Sequence, residues 1–157
     1  MKKIKSPDEL LSLQEKIRSS RDPKKPCITI CAGTGCLAYG TQKLIDGFKS
    51  EIEKRNLTDT IDVRTSGCHG FCERGPLVVI HPQKIFYQRV GLGDAAEIIE
   101  KTVLGGEVLD RLTYRDPVSK EKILCENEVP FYKKQMRLVF GMNGQIDPTS
   151  LDDYLAI

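Results

Sequence analysis

The sequence carries almost no surplus charge: 24 basic and 22 acidic side chains over 157 residues leave a net +2. No extended Lys/Arg face stands out, so the usual electrostatic footprint of a nucleic-acid partner is missing. No apolar run approaches the length of a membrane span, so direct membrane insertion is not expected. The charged start Met1-Lys-Lys-Ile-Lys-Ser-Pro-Asp-Glu9 has no apolar stretch behind it and does not read as a signal peptide. There is no C-x-x-C pair, which a thioredoxin-type dithiol would need. Internal repeats and low-complexity segments are also missing. A cytoplasmic location is therefore expected, where thiols stay reduced. Hydrophobic residues at 39% and charged residues at 29% suit a folded globular chain, one domain or one domain plus an appendage.

What the sequence does have is six cysteines. In a reducing compartment these favour metal binding or catalysis over disulfides. Four of them form a set. Cys31-Ala-Gly-Thr-Gly-Cys36 reads C-x4-C. After a gap of 31 residues, Thr65-Ser-Gly-Cys68-His-Gly-Phe-Cys72-Glu-Arg-Gly-Pro76 contains C-x3-C. Each pair follows a short β-branched run and sits among glycines. Four thiolates from two loops can hold a metal ion or an iron–sulfur cluster. Gly33, Gly35, Gly67 and Gly70 let the chain curl and let backbone N–H groups approach sulfur. Four thiolates on an oxidised [2Fe–2S] core leave roughly −2, by the deprotonated-ligand rule. Arg64 and Arg74 flank the second pair and are expected to offset part of it.

The other residues near the set have plainer readings. Cys27 copies the x3 spacing with Cys31, but both fall in a strand. Four strand steps span about 13 Å, too far for one small cluster, so Cys27 is expected to be a core thiol. Cys125 has no partner at ligand spacing and is read as a free thiol. His69 is expected to face solvent in its loop. Glu73 and Arg74 read as surface charges, and Phe71 as packing. A Rieske centre needs two histidine ligands, and of the two in the chain His81 precedes Pro82 in a turn. Gly33-Thr-Gly35 is a poor dinucleotide fingerprint with two cysteines crowding the same loop.

Periodicity supplies the frame. Ser6 caps a helix with Pro7 at its first position, Glu9 closing a capping box, and a stripe of Leu10, Leu13 and Ile17 widened by Leu11. Residues 25–30 read as a strand, 31–39 as an irregular ligand loop, and 41–56 as an amphipathic helix burying Leu44, Ile45, Phe48 and Ile52. Residues 61–65, 77–80 and 84–90 read as strands, the last two a hairpin around His81-Pro-Gln83. Asp94 is expected to cap a last helix, with Ala95, Ile98, Ile99 and Val103 inward, that Gly105-Gly106 stops. Helix, β, α, β, β, β, α gives an α/β fold, a thioredoxin-like mixed sheet with flanking helices, an N-terminal helix and a short C-terminal extension. Residues 107–128 read as a polar linker. Residues 129–140 are expected to form one strand, and Asp147-Pro148 to start a short helix. The tail has too few residues to enclose a core of its own. It is expected to be mobile or to pack against another chain.

The cysteine motifs, with Leu77-Val-Val79, resemble the thioredoxin-like [2Fe–2S] ferredoxins. Cys68-His-Gly-Phe-Cys72 with Phe86-Tyr-Gln-Arg-Val90 is closer to one subgroup, the ferredoxin domain at the N-terminus of the flavoprotein subunit of NADH-dependent hydrogenases and dehydrogenases. Pro130-Phe-Tyr-Lys-Lys-Gln135 and Gly144 to Leu155 resemble the lead into that subunit's flavin domain. The resemblance implies a [2Fe–2S] cluster held by Cys31, Cys36, Cys68 and Cys72. It implies single-electron transfer inside an NADH-linked complex, with its other subunits as partners and a homodimer as a further option. It divides the chain into an extension (1–24), a ferredoxin domain (25–106), a linker (107–128) and the start of a truncated flavoprotein domain (129–157). The FMN/NADH loop and a later cysteine set are not in the sequence, so the chain is not expected to oxidise NADH by itself. Two alternatives stay open: a zinc-stabilised four-cysteine interaction domain, and a thiol redox sensor using Cys31 and Cys36.

Overall fold

The computed structural model describes residues 3–157; Met1 and Lys2 of the charged start lie outside the described residues. Four strands form a mixed sheet: β1 (Cys27–Cys31), β2 (Asp62–Ser66), β3 (Val78–His81) and β4 (Ile85–Tyr87). Their order is β2-β1-β3-β4. β1 and β2 are parallel, in register from Cys27 opposite Asp62 to Cys31 opposite Ser66. β3 runs antiparallel to both β1 and β4. The crossover joining the parallel pair is α3 (Thr41–Lys54), as a β-α-β unit requires. This is the expected thioredoxin-like order. A parallel pair ends at one edge of the sheet, so the loops after β1 and β2 leave side by side.

Side-chain alternation sends the strands' two faces into two cores. Ile28, Ile30, Val78, Ile80, Ile85 and Tyr87 pack under α3, whose Leu44, Ile45, Phe48 and Ile52 are buried as expected. Cys31, Val79 and Phe86 point the other way, with Leu77 just ahead of β3. α4 (Asp94–Glu97) continues as a π-helical turn over Ile98–Leu104 on the first core. Gly93 is its cap, while Asp94 accepts from the Gly91 N–H.

The second core is closed by residues expected to be a linker. Leu109 and Leu112 join the first core and Tyr114 the second, where Val129, just past the expected linker, packs beside it. β5 (Tyr114–Arg115) and β6 (Lys122–Ile123) form a small ribbon. The Phe86 N–H donates to the Leu124 carbonyl and the Gln88 N–H to that of Leu112, so this stretch covers the free edge of β4. The polar composition comes from the ribbon's turn; the apolar residues on either side are buried.

Other departures have local causes. α1 (Pro7–Ser19) is capped by Ser6 as expected, but only Ile17 of its stripe is buried. It is held at its far end, where Gln14 and Arg18 donate to the carbonyls of Ile157 and Ala156 and Arg21 pairs with Asp153. The expected strand over 129–140 is instead α5 (Pro130–Lys133), started by Pro130, followed by irregular chain. Leu138 and Val139 stay exposed there, at 84% and 85%. The final helix, α6 (Leu151–Leu155), starts at Ser150 rather than Asp147. No helix among the described residues is long and apolar enough to cross a membrane.

Candidate metal centre

The four cysteines of the set meet at the edge of the sheet where β1 and β2 end. Cys31 closes β1, its N–H bonded to the Leu77 carbonyl. The stretch after it is not an irregular loop. It holds a short helix, α2 (Thr34–Ala38), that carries Cys36 inward. The Thr41 hydroxyl donates to the Cys36 carbonyl at 2.7 Å and ties α2 to α3. Cys31 and Cys36 are buried; Cys68 and Cys72 are half-buried.

The two loops interlock. A Cβ on Gly33 would come within 2.7 Å of Cys68 Cβ, and one on Gly35 within 2.8 Å of Cys72 Sγ. A Cβ on Gly75 would lie 2.8 Å from Cys36 Sγ. Gly33 and Gly35 are therefore needed for close approach, not for unusual dihedrals. Gly70, at φ +80, is the position whose backbone conformation itself favours glycine. Its N–H donates to Cys68 Sγ at 3.3 Å.

Charge is shared across the thiols. The Cys36 thiol hydrogen-bonds Cys31 and, against the cost of burial, lowers its pKa to about 5, helped by the N–H groups of His69 and Gly33. Cys36 shifts the opposite way, raised by that same bond and by burial. Burial and the nearby Cys68 raise Cys72. Cys31 and Cys36 influence one another most, as do Cys68 and Cys72, and charge on either pair also reaches the other. Two pairs of thiols at the junction of two interlocked loops match a donor set that gives two sulfurs to each iron of a two-iron cluster.

Cys27 lies at the other end of β1, opposite Asp62 and His81, so the strand separates it from the set. It is half-buried rather than fully in the core, and burial raises its thiol. Cys125 sits by the edge of β4, bridged to Ile85. No disulfide links any of the six cysteines.

The second loop departs most from expectation. His69 is 1% exposed, not solvent-facing. Its Nε2 lies 2.9 Å from Ser66 Oγ and its Nδ1 2.6 Å from Glu126 Oε1. Gly144 packs on the ring, the Gly67 N–H donates to the Ile146 carbonyl, and Arg137 donates to the His69 carbonyl. The C-terminal extension thus lies directly over the cysteine loop. Phe71 is packing, as expected, stacked on Phe131 at 4.4 Å. Arg64 does not serve the thiols: it pairs with Asp62 and lies by Cys27. Glu73 is exposed, while Arg74 lies over the rings of Tyr114 and Phe71. Glu126 and Arg137 carry no sequence signal, since their partners lie 57 and 68 residues away.

Comparison with known proteins gives the family and the fold. The profile of the thioredoxin-like [2Fe–2S] ferredoxins matches residues 18–103. The chain is 34% identical over 77 residues to a 2Fe–2S ferredoxin of Clostridium pasteurianum, covering 49% of this chain and 76% of that protein. It is 33% identical over 78 residues to a 2Fe–2S ferredoxin of Aquifex aeolicus, covering 49% and 70%. The 1.5 Å crystal structure of the wild-type thioredoxin-like [2Fe–2S] ferredoxin from Aquifex aeolicus superposes with TM-score 0.54 at 26% identity, over 59% of this chain and 99% of that one.

Proposed function

The chain belongs to the thioredoxin-like [2Fe–2S] ferredoxins, and we propose that Cys31, Cys36, Cys68 and Cys72 hold its cluster and that it relays single electrons inside an NADH-linked oxidoreductase complex. Its cofactor is a [2Fe–2S] cluster and its chemistry iron–sulfur electron transfer. The cluster supplies a one-electron redox couple. The protein's own residues supply the rest. Cys31 and Cys36 present sulfur from a buried wall, and the half-buried Cys68 and Cys72 mark the side nearest solvent. Glycine-permitted close packing keeps side chains out from between the loops. The Gly70 N–H donates to Cys68 Sγ, and the backbone N–H groups of Gly33 and His69 lower the Cys31 pKa, favouring the thiolate.

The observation that carries the ligand assignment is the interlocking of Gly33 with Cys68, Gly35 with Cys72 and Gly75 with Cys36, which brings two distant pairs to one place. The NADH-linked setting rests on the Cys-His-Gly-Phe-Cys variant and on the resemblance of residues 130–155 to the lead into a flavin domain. Cytoplasmic residence goes with it, supported by a cysteine pattern that favours metal binding over disulfides.

Anaerobic purification tests the assignment. Two iron and two sulfide per chain, visible bands that bleach with one electron, and their loss in Cys36→Ser and Cys68→Ser are expected. One zinc per colourless chain would replace this reading with a zinc-stabilised four-cysteine interaction domain. For the complex, co-elution with an NADH-oxidising flavoprotein subunit, and reduction of the bands when NADH is added, are expected.

A further inference from the structure

We propose that Arg137 is a positioning residue for the cluster: it polarises the His69–Gly70 peptide, whose N–H donates to Cys68 Sγ, and so raises the reduction potential. This rests on Cys68 being a ligand. Arg137 Nη2 donates to the His69 carbonyl at 2.6 Å. The N–H on the other side of the same peptide, that of Gly70, donates to Cys68 Sγ at 3.3 Å. One planar amide therefore links a guanidinium to a thiol sulfur.

The linkage has a defined electronic sense. Amide resonance couples carbonyl oxygen and nitrogen. A cationic donor on the oxygen draws density from the nitrogen and makes the N–H a stronger donor, as in any polarised hydrogen-bond chain. Charge-assisted bonds are about twice as strong as neutral ones, so the oxygen end is firmly held. Hydrogen bonds to cluster sulfurs are among the factors that set the potential. The reduced state carries one more negative charge, so a stronger N–H···S bond stabilises it more and raises the potential.

The geometry holds Arg137 in place. Its guanidinium lies over the Tyr132 ring, 4.6 Å from the centroid, and its Nε donates to Gln135 Oε1 at 3.1 Å. A Cβ on Gly70 would lie 3.4 Å from Nη2, so the guanidinium runs along the glycine itself. His69 fixes the other side of the peptide, its ring bonded to Ser66 and Glu126. Arg137 lies beyond residues 18–103, the span shared with the family, so this control belongs to the extension.

The test uses the full iron-loaded chain. Arg137→Gln is expected to keep two iron and two sulfide while its midpoint potential, by film voltammetry, falls below wild type. The Fe–S stretching band of the Cys68 bond is expected to move up in resonance Raman as the N–H···S bond weakens. Arg137→Lys, which keeps a cationic donor, is expected to fall between the two and holds the test open should Arg137→Gln fail to fold. Lys133→Gln removes an exposed charge from the same segment and is expected to leave potential and Raman bands unchanged. The Arg137→Gln shift is expected to persist at 1 M salt, where screening acts within about 3 Å. An unchanged potential in both Arg137 variants, an equal shift in Lys133→Gln, or a shift abolished by salt overturns the relay while leaving the cluster assignment intact. A wild-type chain without iron overturns both.

Discussion

Val129→Ala tests whether the C-terminal extension is part of the wall behind the cysteines. Val129 is 0% exposed and packs in the core that contains Cys31, Cys36, Phe71 and Leu77. Ile123 and Tyr132 close over the same core. The substitution removes two methyl groups. At about 0.8 kcal/mol per buried carbon, with a part of the cavity left unfilled, the loss is about 2 kcal/mol. For a domain of this size each kcal/mol moves the melting temperature by about 2–4 °C, so a fall of about 4–8 °C is expected. The assay is a thermal melt followed in parallel by far-ultraviolet dichroism and by the visible bands of the loaded protein. Both signals are expected to fall together, because Val129 supports the wall from which Cys31 and Cys36 project. Val118→Ala is the control: Val118 is 89% exposed and its truncation is expected to cost less than about 0.5 kcal/mol. If Val129→Ala melts with the control, the extension is not seated on the domain, and the packing account of residues 107–132 is wrong.

Three further predictions concern the site. Cys27→Ala and Cys125→Ser are expected to leave the visible spectrum unchanged, since one lies at the far end of β1 and the other by the edge of β4. Gly33→Ala is expected to lower iron content sharply, because its Cβ would meet the Cys68 backbone at 3.0 Å and no rotamer relieves that; Gly93→Ala, with open space around it, is the matching control. Burial raises the Asp147 carboxyl, but bonds from Thr149 and Thr65 outweigh it and hold the pKa below the usual value. Its stabilising effect is therefore complete above the unfolded pKa of about 3.9 and lost as pH falls through the lower folded value. Urea midpoints of wild type and Asp147→Asn are expected to differ at pH 7 and to converge in acid; a constant gap would show that the charge is irrelevant.

How much of this is legible in the sequence depends on the reach of each interaction. The stripe Leu44, Ile45, Phe48 and Ile52 repeats every helical turn, and its burial follows from spacing alone. The cysteine loops are legible because the cysteines proposed as ligands stand close together among glycines. The physical role of those glycines is only partly visible: spacing suggests bending, while Gly33 and Gly35 in fact admit a neighbouring loop. The short helix under Cys36 leaves no trace in the pattern because glycines flank it, and five residues are too few to show a period. Residues 107–128 mislead because the charged turn of the ribbon outweighs Leu109, Leu112 and Tyr114 in any composition count.

The environment of His69 marks the limit of such reading and explains why it matters. Nothing within the loop buries a histidine; Glu126, Arg137 and Gly144 do so, the first two from 57 and 68 residues away along the chain. Local propensity carries no trace of partners at that distance. Yet these residues change what the loop can do. A bare loop would leave the His69–Gly70 peptide free to rotate and its carbonyl bonded to water. Held by Arg137 on the oxygen, with the His69 ring locked between Ser66 and Glu126, the peptide keeps its N–H on Cys68 Sγ. The family's fold supplies the four sulfurs, and the extension determines how firmly one of them is bonded. Cluster assembly and cluster potential therefore depend on different parts of the chain and are separable by mutation: assembly by changes at Gly33 or Cys36, potential by changes at Arg137.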